Sequence, residues 1–292
     1  MRCAYSIAKA TALEILSQPL SLLILTATLA VETFAPRFQF HKFGESDAMA
    51  RDAGLSAILL GAIFFVVFTS VSALRREIEK GTLSLALTSG ISRTYFVTAK
   101  FLGFLSALLG FFSIAFFNMV ITVNGAVIGG VIAKSTGDIP MIWGRSYALS
   151  VLVMVLPYLI GAIANRFLNR RFVFNVFLWM MIFSFAFLFY RIDFDIVLRL
   201  LSATAVIFAF VVIYLSLSVA LSLNFKAHTS HTIIGVIFAL TLPVMGNFYL
   251  ADALSHDGAV NLSYIGLSAL SALLISCGVL ILGLKYFKEK DL

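Results

Sequence analysis

The most regular feature of the sequence is a succession of long apolar stretches that contain no Asp, Glu, Lys or Arg. Eight such windows hold 17 to 33 residues each. The windows are 15–31, 53–74, 101–133, 146–165, 172–190, 200–225, 227–251 and 258–284. A bilayer core about 30 Å thick needs about 20 helical residues at about 1.5 Å each. The pattern therefore predicts an all-α integral membrane bundle with about eight transmembrane helices.

Two details refine this prediction. The windows are apolar on every side, whereas the strands of a membrane β-barrel alternate, so a barrel is excluded. The third window would make about 50 Å of helix, which is too long for one simple span. We therefore expect its glycine-rich end, 125–133, to lie outside the span or to re-enter.

Composition leads to the same class. The chain is 61% hydrophobic and only 12% charged, and its mean hydropathy is +1.03. An average soluble domain is about 45–50% apolar and about 25% charged, so too little polar surface is present to cover a soluble globule. The two cysteines, Cys3 and Cys277, are too few for a disulfide scaffold.

The distribution of Lys and Arg predicts the orientation. With both termini inside, fourteen of the 21 basic residues fall on the cytoplasmic side, and the inner face carries +9 against −2 outside. The sequence thus predicts a multi-pass protein of the plasma membrane with cytoplasmic N- and C-termini. Topology and attraction to anionic lipid explain the basic character, so no nucleic-acid partner is expected.

The N-terminus predicts a short helix on the membrane surface. Residues 1–16 form an amphipathic interfacial segment, and Pro19 begins the first span of a single transmembrane domain, 17–292. The apolar stripe of that segment is Tyr5, Ala8, Ala12 and Ile15. A cleaved signal peptide is the disfavoured alternative, because Glu14 and Gln18 interrupt the expected apolar region.

One cytoplasmic loop, 75–93, has the pattern of a small helix. Thr82 is a suitable N-cap after Gly81, and Gly90 is a natural C-terminal stop. Three apolar residues share one face of it: Leu83, Ala86 and Leu87. A two-turn helix is not stable alone in water, so it must pack against its own bundle or against a partner.

This loop is similar to the signature between the second and third spans of permease subunits of type-2 ATP-binding-cassette exporters. That pattern is roughly R-E-x-E-x-G/R-T-L, a leucine-rich turn, P-x-S/x-R and G-K-x-x-G. The matching residues are Arg76, Glu77, Glu79, Gly81, Thr82, Leu83, Leu87, Ser92, Arg93, Lys100 and Gly103. Two positions depart from it, since Gly90 stands where Pro is usual and Ala99 where Gly is usual.

The resemblance implies a separate ATPase subunit that binds the loop and drives export. ATP and Mg²⁺ would be held by that partner, and this chain would contain no cofactor, metal or catalytic site. The implied coupling residues are Arg76, Glu77, Glu79, Gly81, Thr82, Leu83, Leu87 and Arg93. Further implied partners are a second permease copy or a sister permease, together with the lipid bilayer.

The family usually has six spans, whereas the windows here number eight. Either an extra helical pair, 146–190, is inserted, or some windows form half-helices that enter from outside. We favour the inserted pair, because Arg166, Arg170, Arg171 and Lys226 reach the inner face only with full crossings.

Two other functional classes remain as alternatives. An ATP-independent carrier or channel is disfavoured because no ionisable Asp, Glu, Lys or Arg falls within any window, which indicates an external energy source. A lipid-modifying enzyme would need clustered Asp, His or Glu at an interface, and none is evident. His228 and His231 have no third ligand nearby in sequence, so no metal site is predicted.

A few residues within the spans have predicted packing roles. Lys100 should extend to the inner headgroups. Four asparagines should form hydrogen bonds between helices rather than line a pathway: Asn118, Asn124, Asn175 and Asn247. A small-residue seam for close helix packing in the last span is Ser268, Ala272 and Ser276.

Overall fold

The architecture is described from a computed structural model. It describes residues 2–37, 46–79, 91–136, 145–169, 171–188, 194–225, 229–230, 232–237, 260 and 262–288. The long helices are α1 (Arg2–Leu16), α2 (Pro19–Phe34), α3 (Ser46–Glu79), α4 (Arg93–Thr136), α5 (Arg145–Leu168), α6 (Phe172–Leu188), α7 (Phe194–Asn224) and α8 (Leu262–Lys288). A 3-10 turn, Ala35–Arg37, follows α2, and 232–237 are also helical. All regular structure in these ranges is helical, as predicted.

The length and composition of these helices suit a membrane. Five described helices are long and apolar enough to cross a bilayer, or six if α1 and α2 count as one crossing bent by 63°. The apolar helix α6 is shorter, at 17 residues. The bundle is compatible with a multi-pass membrane protein. Most of window 227–251 lies outside the described residues, and the count of eight stays a prediction.

Helix α4 is the centre of the bundle, and it packs against α1, α2, α3, α5, α6 and α7. Aromatic rings fill the space around it: the Phe65 and Phe111 centroids lie 4.9 Å apart, and those of Phe112 and Phe208 lie 5.0 Å apart. α4 has 44 residues, which make about 66 Å of helix. It stays helical through 125–133, so this stretch does not re-enter; the helix is simply longer than the bilayer core.

Helix α2 buries polar and apolar side chains alike and exposes other apolar ones. Its buried residues include Ser21, Thr28 and Glu32, which are 0 to 4% exposed. Leu23 and Val31, by contrast, are 64% and 49% exposed. In water an exposed apolar face of this kind is unfavourable, whereas in lipid it is well solvated and the polar groups must find partners inside the protein.

The last helix, α8, packs mainly on α7 through small residues. Ala272 and Ser276 are buried, and the Ser276 hydroxyl donates to the Val212 carbonyl at 3.4 Å. Ser268 is half-buried, and its hydroxyl donates to the Ile265 carbonyl of its own helix. Only 11% of the apolar window of α8 is buried, so most of its surface faces outward.

Candidate functional site

The predicted coupling residues fall partly within the described structure. Gly81, Thr82, Leu83 and Leu87 lie outside the described residues, and so does the side chain of Glu79, the last residue of α3. The described members are Arg76 and Glu77 at the end of α3 and Arg93 at the start of α4. Only the two ends of the predicted coupling segment therefore have a described environment.

These two ends are joined by a partly buried ion pair. The Lys100 ammonium of α4 donates to the Glu77 carboxylate of α3, and Lys100 Nζ lies 5.6 Å from the centre of the Phe96 ring. Lys100 is only 6% exposed. The prediction that Lys100 extends to the headgroups is therefore wrong: the opposite charge supplied by α3 stabilises the ammonium inside the protein.

Helix α1 packs against the same end of α4. The Tyr95 hydroxyl accepts a hydrogen bond from the backbone N–H of Ala4 at 2.8 Å. Gly103 faces α1 so closely that an added Cβ would lie 2.6 Å from the Thr11 Cβ and 2.7 Å from the Ala8 carbonyl oxygen. Glycine is thus required here for the close approach of two helices.

The buried face of α1 differs from the predicted stripe. Thr11 and Ile15 are buried at 1% and 0% exposure, whereas Tyr5 is 69% exposed. The stripe was predicted for a helix on a membrane surface, and these exposed fractions do not test it. Whether α1 lies along a membrane surface stays a prediction.

We call this region the α1–α3–α4 junction; its residues are Ala4, Thr11, Glu14, Arg76, Glu77, Tyr95, Lys100 and Gly103. An outer contact completes it, in which an Arg76 nitrogen lies 4.0 Å from a Glu14 oxygen. Both of these side chains are exposed, so that contact contributes little. The junction fixes the end of α3 and the start of α4 relative to each other, on either side of 80–92.

A second polar site lies farther along α4. The Asn118 amide Nδ2 donates to Glu32 Oε2 at 2.8 Å and lies 3.3 Å from the Thr33 hydroxyl. All three residues are buried, at 0 to 1% exposure. The prediction that Asn118 joins two helices by hydrogen bonding is confirmed. We call this contact the Glu32–Asn118 pair.

Hydroxyl groups extend this polar site towards α5. The Thr122 hydroxyl donates to the Asn118 carbonyl at 3.0 Å and lies 3.2 Å from the Ser150 hydroxyl. Nearer the start of α2, the Thr26 hydroxyl is hydrogen-bonded to Tyr158 of α5. Within the part of the chain that the structure describes, no group of three or more His, Cys, Asp or Glu residues suits a metal ion.

The pattern of apolar windows did not point to Glu32, for a definite reason. Windows drawn between charged residues contain no charge by construction, and window 15–31 stops one residue before it. The windows contain no Asp, Glu, Lys or Arg, as stated, but α2 continues beyond window 15–31 to Phe34 and buries Glu32. Helical periodicity carried the signal: Ser21, Leu25, Thr28 and Glu32 repeat at intervals of four, three and four residues along one face.

Comparison of this chain with known protein families, with curated proteins and with solved structures gives no match. The features of this chain that bear on function are therefore the loop motif and the two polar sites.

Proposed function

We propose that the chain is the membrane-spanning permease subunit of an ATP-binding-cassette exporter. In this proposal it crosses the plasma membrane eight times, with both termini cytoplasmic. A separate ATPase subunit docks on segment 75–93, and the permease pairs with a second copy or a sister permease.

The observation that supports this proposal best is the α1–α3–α4 junction. Motif residues from both sides of the loop, Glu77 before it and Lys100 and Gly103 after it, make contacts that join α1, α3 and α4. Force applied to a loop moves helices only when the ends of the loop are firmly attached to them. The partly buried ion pair and the close packing at Gly103 provide such attachment, because both are costly to break.

The chemistry of the chain also favours an external energy source. The sequence contains no G-x-x-x-x-G-K-[ST] motif, so it has no phosphate-binding loop of this type. ATP-driven transport by this subunit therefore needs a partner that supplies the nucleotide site.

The direct test is purification of the full chain from its own cells in mild detergent, with identification of any phosphate-loop ATPase that co-purifies. The variant Leu83→Asp with Leu87→Asp should lose the ATPase, because two charges replace the predicted apolar contact. A matched control is Phe167→Asp with Leu168→Asp at the end of α5, where the side chains are 78% and 68% exposed. The control should retain the ATPase.

Two outcomes would overturn the coupling role. One is the absence of a phosphate-loop ATPase from the purified wild-type complex. The other is equal recovery of the ATPase with the Leu83 and Leu87 variant and with the wild type, both correctly inserted in the membrane.

The eight-crossing topology has its own test. Reporter tags at Lys80, Asn169 and His228 should all report the cytoplasm, and a tag at His256 should report the outside. A reversed tag would exclude eight full crossings without affecting the ATPase test.

A second candidate function is an ATP-independent carrier, and the observation in its favour is Glu32. Carriers driven by ion gradients place ionisable groups within their spans, and Glu32 is such a group. Transport by vesicles that contain only this chain, driven by a proton gradient without ATP, would establish the carrier and exclude the exporter.

A further inference from the structure

Glu32 is a buried acid with no basic partner among the described residues. It is 1% exposed, and its hydrogen-bond partner among the described residues is Asn118. No ion pair joins Glu32 to any described charged side chain of the elements packed against α2. Those side chains are Lys9, Glu14, Arg51, Asp52, Arg76, Glu77, Arg93, Lys100 and Arg166.

Two oxygen atoms of the Glu32–Asn118 pair lack hydrogen-bond partners. Glu32 Oε1 and Asn118 Oδ1 are both buried and both unpaired among the described residues. An ionised carboxylate only accepts hydrogen bonds, and so does an amide oxygen. With Glu32 ionised, neither oxygen can satisfy the other, and each unsatisfied buried group costs about 1–3 kcal/mol.

We propose that Glu32 holds a dissociable proton and that the Glu32–Asn118 pair is a proton-binding site between α2 and α4. In the proposed arrangement a proton on Oε1 makes this oxygen a donor and Asn118 Oδ1 its acceptor, while Asn118 Nδ2 donates to Oε2. One added hydrogen thus satisfies both unpaired oxygens. The same conclusion holds if the Asn118 side-chain amide is turned by 180°. Asn118 Oδ1 would then face Glu32 Oε2, and two acceptor oxygens need a proton between them.

The chemical step is simple. The Glu32 carboxylate takes a proton from water, an O–H bond forms, and the charge on the side chain changes from −1 to 0. Release returns the proton to water and leaves a carboxylate that is costly in apolar surroundings. Loss of the proton therefore favours any arrangement in which α2 and α4 separate and Glu32 reaches water.

The position of the site indicates the end of the bundle from which the proton enters. Glu32 lies two residues before Phe34, the last residue of α2. Along α4, Asn118 follows Lys100 by eighteen residues, which is about 27 Å of helix and close to the thickness of a bilayer core. The site therefore exchanges protons at the end of the bundle opposite the α1–α3–α4 junction. This position of the proton site is the same whether transport is driven by a partner ATPase or by an ion gradient.

The first experiment is infrared spectroscopy of the purified full chain in lipid vesicles at neutral pH. The wild type should show the carbonyl band of a protonated carboxylic acid, and Glu32→Gln should remove that band. Glu14→Gln is the matched control, since the Glu14 side chain is 42% exposed, and it should leave the band unchanged. If Glu32→Gln instead removes the band of an ionised carboxylate and leaves the acid band unchanged, Glu32 carries no proton and the proposal is overturned. The same holds if the lost carboxylate band appears only in the presence of added Na⁺ or K⁺, because Glu32 would then bind a metal ion instead of a proton.

The second experiment compares two variants by thermal unfolding in detergent micelles. The Gln side chain of Glu32→Gln accepts and donates at the positions of the protonated acid, so the melting temperature should match that of the wild type. Glu32→Leu leaves the Asn118 amide unpaired, so its melting temperature should be lower, or the protein should fail to fold. A Glu32→Gln variant as unstable as Glu32→Leu would overturn the proposal, because the negative charge itself would then be required.

Discussion

The two polar sites along α4 treat buried charge in opposite ways. At the α1–α3–α4 junction the buried Lys100 ammonium pairs with the partly buried Glu77 carboxylate, so the charges balance. At the Glu32–Asn118 pair a carboxyl group is buried with a neutral amide and no described cation. A balanced pair keeps helices together in one arrangement, whereas a single buried acid is stable only while it holds a proton. The Glu77–Lys100 pair is therefore a fixed contact, and the Glu32–Asn118 pair is one that can open when the proton is lost.

The apolar stretch between the two sites reinforces this difference. Ala107, Leu108, Phe111 and Ala115 on α4 are each 0% exposed. No described charged side chain of α4 lies in this stretch, so direct charge–charge interaction between the sites is weak. Each site is therefore expected to respond to substitution by itself, which makes the comparison testable.

The largest effect is expected from Asn118→Leu. The substitution removes the donor to Glu32 and leaves the acid without its partner, so the free energy of unfolding should fall by about 3 kcal/mol. Denaturation of the purified protein in mixed micelles measures this. The double variant Glu32→Leu with Asn118→Leu should regain most of the loss, because both polar groups are then absent. Failure of the double variant to recover would weaken the pairing argument.

A smaller effect is expected from Lys100→Met, which keeps the apolar stem and removes the charge. The Glu77 side chain is 23% exposed and can regain some water, so the cost should be about 2 kcal/mol in the same assay. Adding Glu77→Gln should restore part of the stability. If Lys100→Met lowers the free energy of unfolding by more than Asn118→Leu does, the junction contributes more to stability than the Glu32–Asn118 pair.

Gly103→Ala tests the packing of α1 at the junction. The added methyl group meets the Ala8 carbonyl oxygen and the Thr11 Cβ, so the protein should lose about 1 kcal/mol. Gly110→Ala is the matched control on the same helix, since its Cβ would meet nothing within 4 Å. The control should be neutral or gain about 0.5–1 kcal/mol from helix propensity.

The smallest effect is expected from Tyr95→Phe. It removes the hydroxyl that accepts from the Ala4 N–H, at a cost of about 0.5 kcal/mol. Amide hydrogen exchange near the start of α1 should rise, whereas Tyr5→Phe, at a side chain that is 69% exposed, should leave it unchanged. Equal exchange in both variants would show that the Tyr95 contact does not hold α1.

The helices themselves were largely predictable. The helical class, the short first helix and the start of α2 at Pro19 follow from local composition and from the fixed backbone angle of proline. The site contacts were less predictable. Lys100 and Glu77 were both singled out, but for snorkelling and for ATPase contact, and their pairing with each other was not foreseen. Whether a charged residue pairs depends on the neighbour that another helix brings to it.

The sequence alone determined that this chain forms apolar helices suited to a membrane, because the cost of hydrating apolar groups adds up residue by residue along the chain. Only the tertiary structure decided which polar groups meet. Glu32 and Asn118 are 86 residues apart, and Lys100 and Glu77 are 23 apart. Their contacts depend on the rotation and register of packed helices, which local composition does not specify.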